Sequence, residues 1–434
     1  LCSSSSYAFG ACTKLTNVPT GVFDISVGGV NACTDMQSCF ISCGTASNVT
    51  TFTIANNLFD HLYKVTNFYG TFNGCTKFAG IPSGLFVNCV AATNFAYTFA
   101  SNKHSSIPPN LFDSCTEVVE FSGTFYGNYS LTSVGIPEDL FRYCTKVTAF
   151  GSSTYSTGTF QACSNIGFTS IPATLFKYNV NVGFCKYTFA GCTYLSSIPT
   201  DLLRYNTVLS DVTGMFSSTA ITSLSNNVFQ YNRSITTVSS CFAYNAALQT
   251  IDTDLFNTNT SAANALVDFS DCFRSCTNVA FTTIPSNLFQ YSINAKNFNG
   301  TFYSCSKVTS IPTGLFVNNL IIENLSGCFA YTGITSIPDY LFDNLTQVSN
   351  VSTCFGYCHD LTAIPSVLFD DVGTTRSVNF TSCFATTITS GTHNKITGAV
   401  PTLWTKGFSP IGTQCFYNRT AISNYYTEIP SNWK

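Results

Sequence analysis

One short phrase recurs along this chain at a nearly constant spacing. It reads TSIPTGLFVNN at residues 309–319, and other copies read AGIPSGLFVNC, SSIPPNLFDSC, TSIPATLFKYN and TSIPDYLFDNL. The marker isoleucines Ile284, Ile311, Ile337 and Ile364 follow one another at steps of 27, 26 and 27 residues. A period of this length is typical of a solenoid, in which each repeat is one coil that buries its apolar face against its neighbours.

Each repeat contains short runs of residues that favour β-strands, and these runs are followed by a turn that begins at a proline. Runs such as VTNFYGTF and LTSIP are rich in β-branched and aromatic residues, which favours parallel strands stacked from coil to coil. Polar or acidic residues often follow the proline, which predicts a short helical or 3-10 turn there. We therefore predict a repeat solenoid of about 15 coils, continuous over residues 1–434, with loop insertions near 26–50, 151–158, 257–267 and 386–399.

The repeats also carry a second signature in TFNGCTKF (71–78), TFAGCTYL (188–195), TFYSCSKV (301–308) and CFGYCHDL (354–361). This signature resembles the BspA-like leucine-rich repeats of bacterial and phage-associated surface proteins. The resemblance covers essentially the whole chain and implies a leucine-rich-repeat-like solenoid. The chain departs from ordinary leucine-rich repeats in its frequent Phe, Tyr and Cys, where Leu is usual.

Composition excludes several classes of protein. The 18 Lys and Arg residues are scattered and the net charge is −3, so we expect no nucleic-acid partner. No apolar stretch approaches the roughly 18 residues of a membrane-spanning helix. The 21 cysteines without zinc-binding spacing favour an oxidising, extracellular or cell-surface location.

The phase of the cysteines within the repeat leaves two interpretations open. Parallel stacking brings equal phases of successive coils to about 5 Å, which is within the Cα separation that a disulfide allows. The first interpretation is therefore a set of rung-to-rung disulfides, and the second is that cysteine is a small buried apolar residue. The candidate pairs are Cys241–Cys272, Cys276–Cys305, Cys163–Cys192, Cys328–Cys354 and Cys383–Cys415.

Asparagine repeats in phase as well. We predict an inward asparagine ladder whose amides bond to the backbone of adjacent coils, and its members are Asn67, Asn94, Asn297, Asn324, Asn350 and Asn379. Three of these asparagines are also in N-x-S/T sequons, which a ladder would make unavailable for glycosylation. The preferred glycosylation candidates lie near expected turns or insertions, at Asn128, Asn232, Asn259, Asn344 and Asn418.

Motifs that carry catalysis are missing from the sequence. The four histidines show no metal-ligand spacing, and neither a nucleophile elbow nor a phosphate-binding loop is present. The closest carboxylate pairs, Asp252 with Asp254 and Asp370 with Asp371, lie in or beside turns that follow the Ile-Pro phase. We therefore predict a protein that is not an enzyme and that has no cofactor, metal or catalytic residue.

The ends and the exposed aromatic residues suggest two functions. The chain starts and stops in mid-repeat, which suggests that subunits stack head to tail as a homopolymer in a surface fibre or coat. The sequence favours this structural, glycosylated, extracellular protein. The alternative is an adhesin or receptor-binding repeat module that recognises protein or glycan, with Tyr126, Tyr244, Tyr331 and Tyr357 as exposed residues.

Overall fold

The fold comes from a computed structural model of the chain. It describes residues 4–24, 32–151, 154, 156–225, 228–257, 265–387, 395–406 and 409–434. Two compact units make up the chain, Leu1–Ala220 (the first unit) and Ile221–Lys434 (the second unit). That residues 1–434 form one continuous solenoid stays a prediction, and so do the loop insertions, parts of which lie outside the described residues.

Each unit is a stack of coils joined by parallel bridges. Equivalent residues pair from one coil to the next, and the described residues provide eight successive rungs in the first unit and seven in the second. The rungs confirm the predicted leucine-rich-repeat-like solenoid and agree with about 15 coils. They lie at Ser4, Asp35, Asn67, Asn94, Glu120, Ala149, Phe184 and Asp211, and at Thr237, Asp268, Asn297, Asn324, Asn350, Asn379 and Ile411.

Extended strands are very short. The described strands are β1 (Asn17–Val18), β2 (Thr53–Ile54), β3 (Ala149–Gly151), β4 (Phe184–Cys185), β5 (Ser223–Leu224) and β6 (Thr250–Ile251). They pair in parallel as β1–β2, β3–β4 and β5–β6. The coil segments that carry the pattern TF or CF are mostly hydrogen-bonded turns, although their aromatic and β-branched composition favours strands.

These turn segments still pair from coil to coil, because every second N–H points to the next coil. The N–H of Phe68 donates to the carbonyl of Asn94 and that of Phe72 to the carbonyl of Thr98, both at 2.8 Å. Between them, Thr71 donates its N–H to the carbonyl of Phe68 in its own coil at 3.2 Å. The backbone groups are thus satisfied without a regular sheet.

A phenylalanine ladder fills the core of each unit. The Phe of each TF or CF pair stacks on its equivalent in the next coil, with ring centroids 5.1–5.9 Å apart. Burying such rings is the main stabilising contribution of each coil. The ladder residues are Phe9, Phe40, Phe72, Phe99, Phe125, Phe160, Phe189 and Phe216, and Phe242, Phe273, Phe302, Phe329, Phe355, Phe384 and Phe416.

The turn predicted after each Ile-Pro is present as a hydrogen-bonded turn. The carbonyl of Pro82 accepts the N–H of Leu85 at 3.3 Å, and that of Pro338 accepts the N–H of Leu341 at 3.2 Å. Among the described residues, 3-10 helices occupy only Ser133–Gly135, Leu403–Thr405 and Ser431–Trp433. The Leu-Phe pair that follows the proline packs into the core, as Leu85 and Phe86 do.

Candidate functional site

One position in each coil, three residues after the ladder phenylalanine, carries a hydrogen-bond donor; we call these positions the donor column. At most of them the side chain donates to the carbonyl of the ladder phenylalanine one coil earlier, at 2.7–3.3 Å. Most of these carbonyls also accept an N–H from their own coil, as Phe72 does from Cys75 at 3.3 Å, so each side-chain donor adds a second hydrogen bond that links two coils. The residues that do so are Cys43, Cys75, Asn102, Asn128, Cys163, Cys192, Cys276, Cys305, Cys358 and Arg419.

The predicted disulfide cysteines are thiols in this structure, and several of them belong to the donor column. Burial raises the pKa of Cys163 to about 12, so its thiolate is scarce at neutral pH and its oxidation is slow. Oxidation of the five pairs stays a prediction. The thiols are Cys163, Cys192, Cys272, Cys276, Cys305, Cys328, Cys354, Cys383 and Cys415, and Cys241 is buried like them.

The predicted asparagine ladder is stacked but does not point inward. Its members lie on successive rungs and are half-buried. Their amide oxygens accept an N–H two residues further along the same coil, as Asn324 does from Ser326 at 3.0 Å. The prediction that they bond to the backbone of adjacent coils was wrong, because the oxygen accepts within this local turn and, at Asn67, the Nδ2 donates to the Asp35 side chain of the previous coil at 3.0 Å.

The inward asparagines lie elsewhere. Asn102 and Asn128 belong to the donor column, and Asn179, Asn206 and Asn319 follow the Leu-Phe or Leu-Leu pair by three residues. The Nδ2 of Asn319, for example, donates to the carbonyls of Phe289 at 3.1 Å and Ser292 at 2.7 Å. The signal that identifies these residues is asparagine alternating with cysteine at one phase.

The glycosylation candidates have different environments. Asn128 and Asn232 are buried, and the Nδ2 of Asn128 donates to the carbonyl of Phe99 at 2.9 Å, so a glycan at either residue disagrees with the structure. Asn259 lies outside the described residues. Asn418 is half-buried and donates to the carbonyl of Thr386 at 3.1 Å. Asn344 is exposed and stays the best-placed candidate.

A second recurrent position, two residues after the ladder phenylalanine, has a left-handed backbone. In the first unit small residues occupy it, such as Gly127 (φ 66°) and Gly191 (φ 72°). In the second unit Tyr244 (φ 61°), Tyr331 (φ 58°) and Tyr357 (φ 62°) occupy it, while Ser275 and Ser304 occupy it in the two coils between Tyr244 and Tyr331. A left-handed backbone costs a residue with a Cβ about 1–2 kcal/mol relative to glycine. Large side chains are therefore present where the backbone favours small ones.

These tyrosines belong to a continuous row, which we call the tyrosine stack: Tyr244, Arg274, Tyr303, Tyr331 and Tyr357, on five successive coils. The Arg274 guanidinium carbon lies 4.1 Å from the ring centroid of Tyr303. The Tyr303 and Tyr331 centroids are 5.1 Å apart and those of Tyr331 and Tyr357 are 4.4 Å apart. The row combines aromatic stacking with a cation–π contact.

The tyrosine stack is partly exposed. Tyr244 is 52% exposed and Tyr331 is 37% exposed, while Tyr303 and Tyr357 are half-buried. Burial, followed by the neighbouring phenols of Tyr303 and Tyr357, raises the pKa of Tyr331 to about 12. The row presents phenol hydroxyl groups and one guanidinium cation, that of Arg274, whose partner Asp271 is 3.0 Å away. Tyr126, the fourth predicted exposed tyrosine, is half-buried in the first unit.

The described part of the chain offers little support for a catalytic or metal-binding site. No three His, Cys, Asp or Glu side chains there come close enough together to hold a metal ion. None of the helices in that part has the length and apolar character needed to cross a bilayer. That the protein is not an enzyme stays a prediction, and the exposed tyrosine stack is the candidate site.

Comparison with known proteins concerns the fold alone. No protein-family model matches the chain, and no curated protein matches its sequence significantly. A solved structure of the Drosophila Toll–Spatzle complex matches with a TM-score of 0.47 and 17% identity, over 87% of this chain and 48% of the other. The chain thus spans about half the length of that protein.

Two bacterial structures match as well. A leucine-rich repeat protein of Bacteroides ovatus gives a TM-score of 0.30 at 13% identity, over 84% of this chain and 76% of the other. A leucine-rich cell surface protein of Faecalibacterium prausnitzii gives 0.28 at 18% identity, over 77% of this chain and 82% of the other. With TM-scores below 0.5, these likenesses carry no argument about partners or activity.

Proposed function

We propose that this chain is an extracellular or cell-surface binding module that recognises a protein partner through the tyrosine stack. The supporting observation is that Tyr244, Tyr331 and Tyr357 occupy a left-handed position that glycine, alanine or serine fills in most other coils. Backbone strain retained in a row of exposed side chains is a sign of function. The sequence resemblance to BspA-like surface proteins is consistent with this location.

A protein partner suits the stack better than a glycan does. Tyr331 and Tyr357 lie nearly parallel, at 14°, so each covers a face of the other. A sugar ring would need such a face, whereas a protein surface also packs against ring edges and bonds to hydroxyl groups. Tyrosine and arginine are enriched in the hot spots of protein interfaces, and stacked rings lose little conformational entropy on binding.

The fibre subunit that the sequence favours is the second candidate, and contacts near the C-terminus count against it. The N–H of Gln414 donates to the carbonyl of Asn432 at 3.0 Å, and that of Phe416 donates to Trp433 at 2.8 Å. A subunit stacked on this coil would need those same donors. Electron microscopy of the purified protein tests the fibre directly, since head-to-tail stacking requires filaments.

The binding proposal is tested with a phage-displayed library of random peptides selected on the purified chain. We expect selected peptides to lose at least tenfold in affinity for a triple variant, Tyr244→Ser, Tyr331→Ser and Tyr357→Ser, because each lost ring removes a buried contact. Tyr205→Ser is the matched control, since Tyr205 is exposed at 43% in the first unit. Peptides that bind the triple variant as tightly as the unchanged chain contradict the proposal, and so does a selection that yields no binders.

A further inference from the structure

Two pairs of thiols in the donor column are in direct contact. Cys12 and Cys43 lie three residues after the ladder phenylalanines of two successive coils in the first unit, and Cys276 and Cys305 do so in the second unit. The thiol of Cys43 is within hydrogen-bonding range of the Cys12 side chain, and that of Cys305 is within range of Cys276. Each pair therefore brings two sulfur atoms together on adjacent coils.

The backbone holds Cys12 and Cys43 side by side. The ladder rings of their coils lie parallel, with centroids 5.1 Å apart. The N–H of Gly44 donates to the carbonyl of Cys12 at 3.2 Å, and the N–H of Ala11 donates to the carbonyl of Ile41 at 2.8 Å. Stacking of this kind brings equivalent Cα atoms to about 5 Å, which is inside the range of roughly 4.4–6.8 Å that a disulfide allows.

The two pairs differ in their access to solvent. Cys12 is exposed, whereas Cys43, Cys276 and Cys305 are buried. A dissolved oxidant therefore reaches one thiol of the first pair and neither thiol of the second. Burial raises the pKa of Cys43 to about 11, with a further contribution from the Cys12 thiol, so its thiolate is scarce at neutral pH. Oxidation of this pair therefore begins at Cys12.

We propose that Cys12 and Cys43 are a site of thiol oxidation, at which a low-molecular-weight disulfide such as oxidised glutathione converts the pair into a disulfide between two coils. The Cys12 thiolate attacks one sulfur of oxidised glutathione, which releases one glutathione thiolate and leaves Cys12 bonded to the other glutathione. Cys43 then loses its proton to water and attacks the Cys12 sulfur, and the second glutathione leaves. Each pair oxidised thus reduces one oxidised glutathione to two glutathione molecules.

The second step removes one hydrogen bond without leaving its acceptor alone. The Cys43 thiol donates to the carbonyl of Phe9 at 2.9 Å, and this bond is lost when the sulfur is oxidised. The same carbonyl keeps the N–H of Cys12 as a donor, at 3.2 Å. The disulfide then ties the coil of Cys12 to the coil of Cys43. This modification is independent of the tyrosine stack, which lies in the second unit.

The test incubates the folded, fully reduced chain with oxidised glutathione in neutral buffer. Samples are quenched with acid, alkylated under denaturing conditions, digested without reduction and analysed by mass spectrometry. We expect a peptide that joins Cys12 to Cys43 to form about tenfold faster than one that joins Cys276 to Cys305, because the exposed thiol is the one that the oxidant reaches. The second pair is the matched control, since it has the same contact without the exposure.

The Cys43→Ser variant separates the two steps. Serine keeps a hydrogen-bond donor at this buried position, and it removes the thiol that would displace glutathione from Cys12. We expect Cys12 to retain one glutathione in this variant and to lose it to the cross-link in the unchanged chain.

Three results would overturn the proposal. In the unchanged chain, these are a Cys12 that stays a thiol, and a Cys12 that retains glutathione or becomes linked to a cysteine other than Cys43. The third is an equal rate for the two pairs, because the exposure of Cys12 would then not be what selects its pair.

Discussion

The left-handed position after the ladder phenylalanine has the same backbone in both units, but only in the second unit does tyrosine occupy it. Gly127 and Gly191 occupy it in the first unit with nothing beyond a hydrogen at Cα, and Tyr331 and Tyr357 occupy it in the second. The turn thus requires the backbone conformation and not the ring. The fold therefore does not need the tyrosine rings, and their exposed surface is best explained by a role in binding.

The largest expected effect tests whether the core beneath both regions is equivalent. Phe99 in the first unit and Phe329 in the second are fully buried, each between two ladder rings at 5.6–5.9 Å. Replacing either with alanine should reduce the free energy of unfolding by about 3–5 kcal/mol, because the ring leaves a cavity. Denaturant unfolding measures both. A loss at only one of the two positions would mean that the two cores differ.

The next comparison sets His104 against Ile334, which is buried at the same position of its coil, five residues after the ladder phenylalanine. Burial lowers the pKa of His104 to about 4 from 6.5, so the folded protein holds fewer protons than the unfolded chain between these values. Its stability is therefore retained above pH 6.5 and falls as pH drops towards 4, by on the order of 3 kcal/mol in total. His104→Ile should remove this loss, and Ile334→His should introduce a similar one.

Unfolding curves at pH 7 and pH 4.5 measure the effect of these two substitutions. At pH 7 we also expect His104→Ile to raise the free energy of unfolding by about 1–3 kcal/mol, because it removes an unsatisfied imidazole. A destabilised His104→Ile variant would show that the histidine contributes to the core in a way that its contacts do not explain.

A smaller effect tests the donor column. The Nδ2 of Asn102 donates to the carbonyl of Phe72 at 3.1 Å, as the thiol of Cys192 does to Phe160 at 3.2 Å. Asn102→Ala should cost about 1–3 kcal/mol, because that carbonyl loses one of its two donors, the other being the N–H of Cys75, and the buried amide leaves a cavity. Asn102→Cys should stay within about 1 kcal/mol of the unchanged chain, since the thiol also donates. Equal losses in both variants would contradict the role of the donor.

The smallest effect concerns the left-handed turn itself. Gly191→Ala should lower the free energy of unfolding by about 1–2 kcal/mol, because φ is 72° and the nearest atom to a new Cβ is 3.5 Å away, at the Cα of Ala162. Gly183→Ala is the control, since it has no atom within 4 Å of the built Cβ. Thermal unfolding of both variants measures the difference. No loss in Gly191→Ala would remove the argument that Tyr331 and Tyr357 are strained.

Sequence periodicity predicts the coils, their number and the core phenylalanines, because an apolar residue at the same position of each repeat must be buried between neighbouring coils. It does not predict the left-handed positions, since Gly191, Ser101 and Tyr331 share a backbone while differing in every side-chain property. The donor column was missed because Cys192 and Asn102 look unrelated until their shared acceptor, a phenylalanine carbonyl, is known. For the same reason, equal phase suggested disulfides without indicating that the thiols of Cys163, Cys192, Cys276 and Cys305 donate to phenylalanine carbonyls.

His104 shows a different limit of sequence reasoning. A deletion of one residue shifts it from the expected phase into the position of Ile334, so pattern matching alone treats it as an ordinary histidine. Only the structure reveals that its ring is buried against Phe78 and Phe99 without a polar partner.

The most direct measurement of the central claim is the free energy of unfolding of the triple variant Tyr244→Ser, Tyr331→Ser and Tyr357→Ser. Serine already occupies the same left-handed position at Ser101, Ser275 and Ser304. We predict a loss of about 1–3 kcal/mol at most, because the variant removes two partly exposed ring–ring contacts worth about 0.5–1.5 kcal/mol each. A loss above roughly 3 kcal/mol would contradict it, since the stack would then be part of what holds the coils together.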